Sequence, residues 1–418
     1  MEDDSTRSIG ACRICRRELR FEVIDLGLSP LCESLVAPAQ VSQGEFFYPL
    51  RIYVCEGCFL VQVTGDVNPG GIFTSDYPYF SSWSDSWLSQ SRAYTDVVVQ
   101  RFRLTTRSQI IEIGSNDGYL LQYFQRRNIP VLGIEPAGAV ASAAIAMGIE
   151  TIREFFSVRV ARRLCEQGRQ ADLLIANNVL AQVPNPEDFV AGLKLLLKPS
   201  GVVTIEFPHV LNLIENNQFD TMYHEHYSYF SFRSAETLLS AHGFTVFDVE
   251  ELPSHGGSLR ILAGHQDDKT KVESGRVTAL RVKESRAGVA TLDFYRDFSS
   301  RVGNARLKLL LFLMEQKRAG KSVVGYGAPG KGNALLNYCG VRTDFLGYTV
   351  DRNPVKHGKL TPGSRIPIFP IEKIRETKPD YLLVLPWNLR EEIMRQMAYI
   401  RSWGGQFVVP IPEVQVIS

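Results

Sequence analysis

The chain carries no strong charge of either sign, no long apolar run and no dense set of cysteines, and each absence closes a class of function. Its 46 Lys and Arg balance 45 Asp and Glu to a formal charge of +1. That leaves no general attraction to nucleic acid or to an anionic membrane, so neither is expected as a partner. No segment offers the ~20 apolar residues of a membrane span. The opening stretch "MEDDSTRSIG" is acidic and polar where a secretory leader is basic and then apolar, and a cytoplasmic location is expected. Seven cysteines in 418 residues are too few for a disulfide scaffold, and a reducing compartment keeps them as thiols. No low-complexity linker interrupts the chain. Its length exceeds one ordinary core, so two or three domains are expected.

What is present begins with four of those cysteines, paired as "CRIC" (Cys12, Cys15) and "CEGC" (Cys55, Cys58). Each Cys-x-x-Cys places two thiolates on a tight turn, and two such turns supply the four sulfurs of a tetrahedral zinc site. Four thiolates leave no open coordination position, so the zinc is read as structural. The alternation in "YPLRIYVCEGCFLVQ" predicts a hairpin with the second pair at its tip. "DLGLSPLCESL" (Asp25–Leu35) is expected to be a loop inserted between the knuckles.

Further along, "SQIIEIGSNDGYLLQYF" is an apolar run, a glycine turn and a helical pattern, the start of a nucleotide-binding βα unit. Strand patterns recur at "VLGIEP", "ADLLIANN" and "VVTIEFP". After a polar helical stretch, a second alternating series begins at "SVVGYGAPGKGNALLNY". The expected fold is α/β: a small zinc-binding domain over 1–75, followed by two Rossmann-like, doubly wound domains over 76–270 and 271–418.

The first glycine turn carries Glu112, Gly114, Asn116 and Gly118, with Glu135 and Pro136 ending the next strand. Glycines admit close approach of backbone to ligand, and a carboxylate beyond the second strand can accept hydrogen bonds from ribose hydroxyls. Asn116 and Asp117 stand where a pyrophosphate wants bare backbone. A carboxylate repels phosphate and suits a sulfonium, which favours S-adenosylmethionine over a dinucleotide. Asn177 and Asn178 end a later strand near the same ligand. The second turn, "GYGAPG" with Asp351 some twenty positions on, matches the dinucleotide fingerprint formally. Lys331 follows its last glycine and is better explained as a partner for a bridging or terminal phosphate. Asn333, Asn337 and Lys356 add donors, so this sheet is expected to hold the diphosphate of a nucleotide-linked substrate.

Between the two series lies "YHEHYSYF", Tyr223 to Phe230. It follows a strand and falls at the carboxyl end of the first sheet, where open α/β folds bind ligands. A histidine there can take a proton, a glutamate can orient it, and a tyrosine hydroxyl can donate to an oxyanion. Those are the parts for abstracting a proton beside a carbonyl. Two other readings stand: a metal held by His224 and His226, and an aromatic loop with polar tips.

Taken together and in order, "EIGSNDGYLL", "GIEPAG", "ANNVLAQVPN", "YHEHYSYFS", "SHGGSLR", "GYGAPGKGNALLNYCG" and the two cysteine pairs resemble the sugar C-methyltransferases of deoxysugar biosynthesis, over nearly the whole chain. The resemblance implies methylation at carbon 3 of a nucleotide-linked 4-keto-6-deoxysugar, usually a thymidine-diphosphate sugar, with S-adenosylmethionine as donor. It implies His226 as general base, with Tyr223, His224 and Glu225 around the substrate, Tyr79 reaching the sugar (Tyr77 stands two residues away), and Arg260, which closes "SHGGSLR", among the substrate contacts. Gln182 departs from the family, whose members tend to carry histidine there. Other readings of the chain are an O- or N-methyltransferase, a nicotinamide-dependent oxidoreductase, and a non-catalytic sugar-nucleotide binder. A monomer or simple homodimer is expected.

Overall fold

A computed structural model describes residues 10–65, 67–75 and 77–418; the acidic opening stretch, apart from Gly10, lies outside them. Near the N-terminus β1 (Phe21–Ser29), β2 (Tyr48–Val54) and β3 (Val61–Thr64) run antiparallel. β2 and β3 form the expected hairpin, with Cys55 and Cys58 at its tip. The expected loop is partly a strand: Asp25–Ser29 completes β1. The register slips between Asp25 and Leu28, around Gly27 at φ +75°. A bulge of this kind uses the same glycine and aspartate that mark a turn in sequence. The two knuckles are built alike. Arg16 N–H donates to Cys12 O at 3.1 Å and Phe59 N–H to Cys55 O at 2.9 Å, and Arg16 and Phe59 take left-handed φ of 60° and 59°.

The central sheet comprises β4 (Ile110–Ile113), β5 (Val131–Ile134), β6 (Thr151–Ile152), β7 (Ala171–Asn177), β8 (Leu197–Pro208), β10 (Phe244–Leu252) and β11 (Ser258–His265). Their order is β10-β11-β8-β7-β4-β5-β6, and only β11 is antiparallel to its neighbours. Short apolar runs such as "IIEI" are wholly buried because helices cover both faces. Helices Val158–Glu166, Pro186–Leu196 and Phe232–Ala241 pack one side, and Asp85–Arg101 and Leu121–Gln125 the other.

The third sheet holds β12 (Val323–Tyr326), β13 (Thr349–Val350), β14 (Ile368–Phe369), β15 (Tyr381–Val384), β16 (Gln406–Val409) and β17 (Gln415–Ile417). It is parallel apart from β17, in the order β14-β13-β12-β15-β16-β17. Among the described residues, no helix is long and apolar enough to cross a membrane.

Two features tie these sheets together. The short strand β9 (Ser228–Tyr229), at the end of the histidine-rich segment, leaves the central sheet and pairs with β3, Tyr229 opposite Val61 and Ser228 opposite Gln62. One apolar core also runs from Ile52 and Val61 through Leu211 and Leu213 to Val302, Leu335 and Val408. These contacts hold the segment between the N-terminal sheet and the C-terminal sheet.

Candidate functional site

Residues from before, within and after the central sheet line one cleft of about 840 Å³, including Phe73, Glu135, His226, Lys331 and Arg395. On its first wall the glycine turn after β4 folds back on β5, and Gly114 N–H donates to Ile134 O at 2.8 Å. Gly114 takes φ +66°, and a Cβ there would lie 2.4 Å from Val179 Cγ2. Glycine is therefore required by backbone and by space. Glu135 accepts from Asn116 N–H at 3.0 Å and Ala137 N–H at 2.8 Å. Burial nevertheless pushes its carboxyl up to about 7, the position of a carboxylate that lacks a cation.

The two polar side chains of the turn are used differently from the expectation. The Asn116 amide accepts from Ser81 N–H and donates to Tyr79 O, and Asp117 accepts from Ser82 N–H at 3.2 Å. They clamp the strap Tyr79–Ser82 over the turn; Asn116 also lines the cleft, and Asp117 Oδ1 is buried without a partner among the described residues. Glu112 lies beneath the turn, fully buried, and desolvation holds it well above the carboxylate range. Gly118 packs on Ile149. Pro136, Asn177 and Asn178 line the cleft. The Oδ1 atoms of both asparagines are buried without a hydrogen-bond partner among the described residues, and Asn178 Nδ2 donates to His255 Nε2 at 3.2 Å. An uncompensated carboxyl and two free carbonyl oxygens suit a ligand rich in donors. The ribose hydroxyls and ammonium of S-adenosylmethionine fit them.

The opposite wall is the "YHEH" turn. His226 N–H donates to Tyr223 O at 2.9 Å, which closes a β-turn and sets the first and fourth side chains side by side. Their ring centroids are 4.3 Å apart. His226 Nδ1–H donates to Thr221 O at 2.9 Å, which fixes the tautomer and leaves Nε2 with its lone pair. Burial, with the Lys331 charge adding to it, lowers His226 to about 4, so the ring is neutral.

The same turn sends its second residue outward. His224 does not reach the cleft: its Nε2–H donates to Pro49 O at 3.2 Å and its ring stands edge-on to Tyr48. The expected supporting role for His224 at the substrate is corrected accordingly, and a metal shared by His224 and His226 has no geometry. Glu225 lies in the cleft wall and accepts from Cys32 Sγ at 3.3 Å and Tyr77 Oη at 3.1 Å. Burial, then the nearby Glu33, pushes it up to about 8. Tyr77 and Tyr79 both line the cleft, Tyr77 buried against Glu225 and Tyr79 39% exposed. Tyr77 is thus the tyrosine joined to the "YHEH" turn.

The second glycine turn is closed by its own chain. Asp351 accepts from Ala328 N–H and from Asn353 N–H, both at 2.8 Å. Lys356 donates to Ala328 O at 2.7 Å and pairs with Glu33 at 3.3 Å. Asn333 donates to Cys32 O at 2.6 Å, and Asn337 to Asn333 O and Pro362 O. Arg260 lies between Glu206 at 2.7 Å and Glu250 at 3.2 Å, over the Tyr94 ring. None of these five lines the cleft, and their expected substrate contacts are corrected: their side chains bond within the chain, with Asn333 Oδ1 and Arg260 Nε left buried without a partner among the described residues. Lys331 is the sixth residue of that set, and it does line the cleft.

Sequence reasoning missed His255, which stands edge-on to Trp87, and Asp220, which accepts from Trp387 Nε1 at 2.6 Å. "SHGGSLR" contained the first signal; Asp220 had none, because its partner is remote in sequence.

The Sγ atoms of Cys12, Cys15, Cys55 and Cys58 lie within 4.8 Å of one another. Gln62 Nε2 points at Cys12 Sγ at 3.4 Å and Gly57 N–H at Cys55 Sγ at 3.3 Å, donors that suit thiolates. The set fits one tetrahedral zinc ion.

A glycine turn facing a carboxylate at the mouth of a seven-stranded sheet, with a four-sulfur zinc module before it, defines an S-adenosylmethionine-dependent methyltransferase. Three family models match: a zinc binding domain over residues 12–73, a methyltransferase domain over 87–249 and a C-methyltransferase C-terminal domain over 253–412. The chain is 35% identical over 415 residues to the C-methyltransferase NovU of Streptomyces niveus, covering 99% of this chain and 98% of that one. It belongs to the C-methyltransferase family. Solved structures with partial likeness include the magnesium protoporphyrin IX methyltransferase of Synechocystis with bound S-adenosylmethionine, at 12% identity over 42% of this chain and 78% of that one, TM-score 0.33. A Pyrococcus horikoshii protein is 13% identical over 48% of this chain and all of its own, TM-score 0.38.

Proposed function

We propose that the protein methylates carbon 3 of a nucleotide-linked 4-keto-6-deoxysugar, a thymidine-diphosphate sugar in particular, with His226 as the base. The observation that carries this reading is the neutral His226, held by Thr221 O so that Nε2 is free to accept a proton in a cleft reached from all three sheets. A carbon bonded only to hydrogen and carbon is not a nucleophile, so methylating it needs an adjacent ketone and a base. His226 Nε2 takes the proton from carbon 3, and the electron pair moves onto the carbon-4 oxygen as an enolate. S-adenosylmethionine, held by Glu135, Asn177 and Asn178, would supply an electrophilic methyl, whose transfer to carbon 3 would restore the ketone and release S-adenosylhomocysteine. The imidazolium then returns its proton to water. Tyr223 covers the face of the imidazole, and Tyr77 with Glu225 offers polar contacts to the sugar.

The test is substrate deuterium washout in D2O together with a mass-shift assay and location of the new methyl. His226→Asn should lower both washout and methyl transfer by about 10²–10⁴-fold while S-adenosylmethionine affinity holds. Equal turnover of a 4-hydroxy analogue would make the reaction O-methylation and sink the enolate route.

A further inference from the structure

Lys331 is an expensive residue. It is 9% exposed and its Nζ has no hydrogen-bond partner among the described residues. It occupies the first turn of helix Gly330–Cys339, the end where the helix dipole already disfavours a cation. Its compensation is the Trp387 ring, with Nζ 4.9 Å from the centroid, and the charge of Asp220. Asp220 is itself held by Trp387 Nε1–H and keeps Oδ1 unpartnered. A structural lysine would carry its ammonium to water or to a carboxylate. This one lines the cleft with its Nζ buried over the Trp387 ring.

The anion it awaits follows from its neighbours. Consecutive residues anchor the base and the ammonium: Thr221 O holds His226, and Asp220 sits with Trp387 under Lys331. The Lys331 charge is felt at both His226 and His255. A diphosphate would call for several donors, yet the cleft's other cation at this end, Arg395, shares its helix with Glu391 and Glu392. A single ammonium in the same cleft as a proton-abstracting imidazole matches a single negative charge that appears only when the proton leaves.

We propose that Lys331 is a catalytic residue whose Nζ binds the enolate oxygen as His226 removes the adjacent proton, rather than the phosphate partner its sequence position suggests. The inference rests on the enolate reading above. A preorganised donor aimed at a developing oxyanion typically contributes a factor of about 10²–10³.

The experiment compares wild type, His226→Asn, Lys331→Met and Lys331→Arg on a thymidine-diphosphate 4-keto-6-deoxysugar. It measures deuterium washout without methyl donor, methyl-transfer kcat and KM, and the Kd of thymidine diphosphate. Lys331→Met should lower washout and kcat together by at least about a hundredfold, with the diphosphate Kd unchanged within about twofold and partial recovery in Lys331→Arg. The acid limb of its residual kcat/KM should also move to higher pH, because a positive charge near His226 is gone. A raised diphosphate Kd with undiminished washout at saturation would return Lys331 to a phosphate role. If Lys331→Met does not fold, the Lys331→Arg washout decides: an undiminished rate with a weakened diphosphate Kd overturns the proposal, and a lowered rate with the Kd intact supports it. Washout that survives His226→Asn but fails in Lys331→Met would remove the base assignment alone; the reverse pattern would remove this inference alone.

Discussion

The two glycine turns are built to one plan and put to opposite uses. In each, the carboxylate ending the next strand accepts from a turn N–H and from the N–H two residues beyond itself: Glu135 from Asn116 and Ala137, Asp351 from Ala328 and Asn353. The backbone wiring is therefore the same. What differs is the next neighbour. Asp351 shares its surroundings with Lys356 and Glu33, buried together, while Glu135 faces the cleft with no cation beside it. A turn of this shape marks a place where a donor-rich ligand can bind, and the local charge balance decides whether the protein has already filled that role itself.

That contrast can be broken most severely at Lys356. Lys356→Met strands a buried carboxylate at the second turn, and about 3–5 kcal/mol of stability should be lost in urea unfolding. The Kd of S-adenosylmethionine should hold in the fraction that folds. A weakened Kd with stability intact would mean the second turn is also a ligand site.

Glu135→Gln tests the other side. It should raise the unfolding midpoint at neutral pH, where the buried carboxylate is a cost, and weaken S-adenosylmethionine by about 10–100-fold, or ~1.4–2.8 kcal/mol by calorimetry.

A third comparison sets Gly114→Ala against Gly327→Ala. Both positions have positive φ and a close neighbour, Val179 Cγ2 at 2.4 Å and Pro386 Cδ at 2.6 Å, so each should cost about 1–3 kcal/mol of stability. Only the first should also weaken S-adenosylmethionine.

The last test is in pH. Because folding raises the Glu135 carboxyl from 4.5 to about 7, the folded chain keeps a proton that the unfolded chain has lost. This contribution to stability therefore falls as pH rises from about 4.5 to about 7, and levels above. Ribose hydroxyls donate to the ionised form, so affinity should rise by up to about tenfold between pH 6 and 8, ~1.4 kcal/mol. It should stay flat in Glu135→Gln.

Local features of the site were legible in the sequence, and remote ones were not. Doubled Cys-x-x-Cys spacing, the turn at Gly114 and the crowding around His226 all lie within a few residues, where spacing constrains geometry. His224 was overcounted because a β-turn separates neighbours that composition groups together. Arg260 read as a ligand contact until the register of β11 placed it opposite Glu206 on β8 and Glu250 on β10. Lys356 with Glu33, and Tyr77 with Glu225, join residues 323 and 148 positions apart. No periodicity announces such pairs. Lys331 was legible as a charge after a glycine turn, but its burial over Trp387 was not, because that ring lies 56 positions away in sequence.

The pairing of β9 with β3 has a consequence for how the molecule is made. The zinc module leaves the ribosome before the central sheet, with β3 as an open sheet edge, and its partner emerges only after most of that sheet, about ten to thirty seconds later at ordinary synthesis rates. Until then the nascent chain displays an unpaired strand of the kind that recruits other chains. The seam that positions His226 is thus also the last stitch of the N-terminal fold, and slow synthesis or poor zinc supply should appear as aggregation before it appears as lost activity.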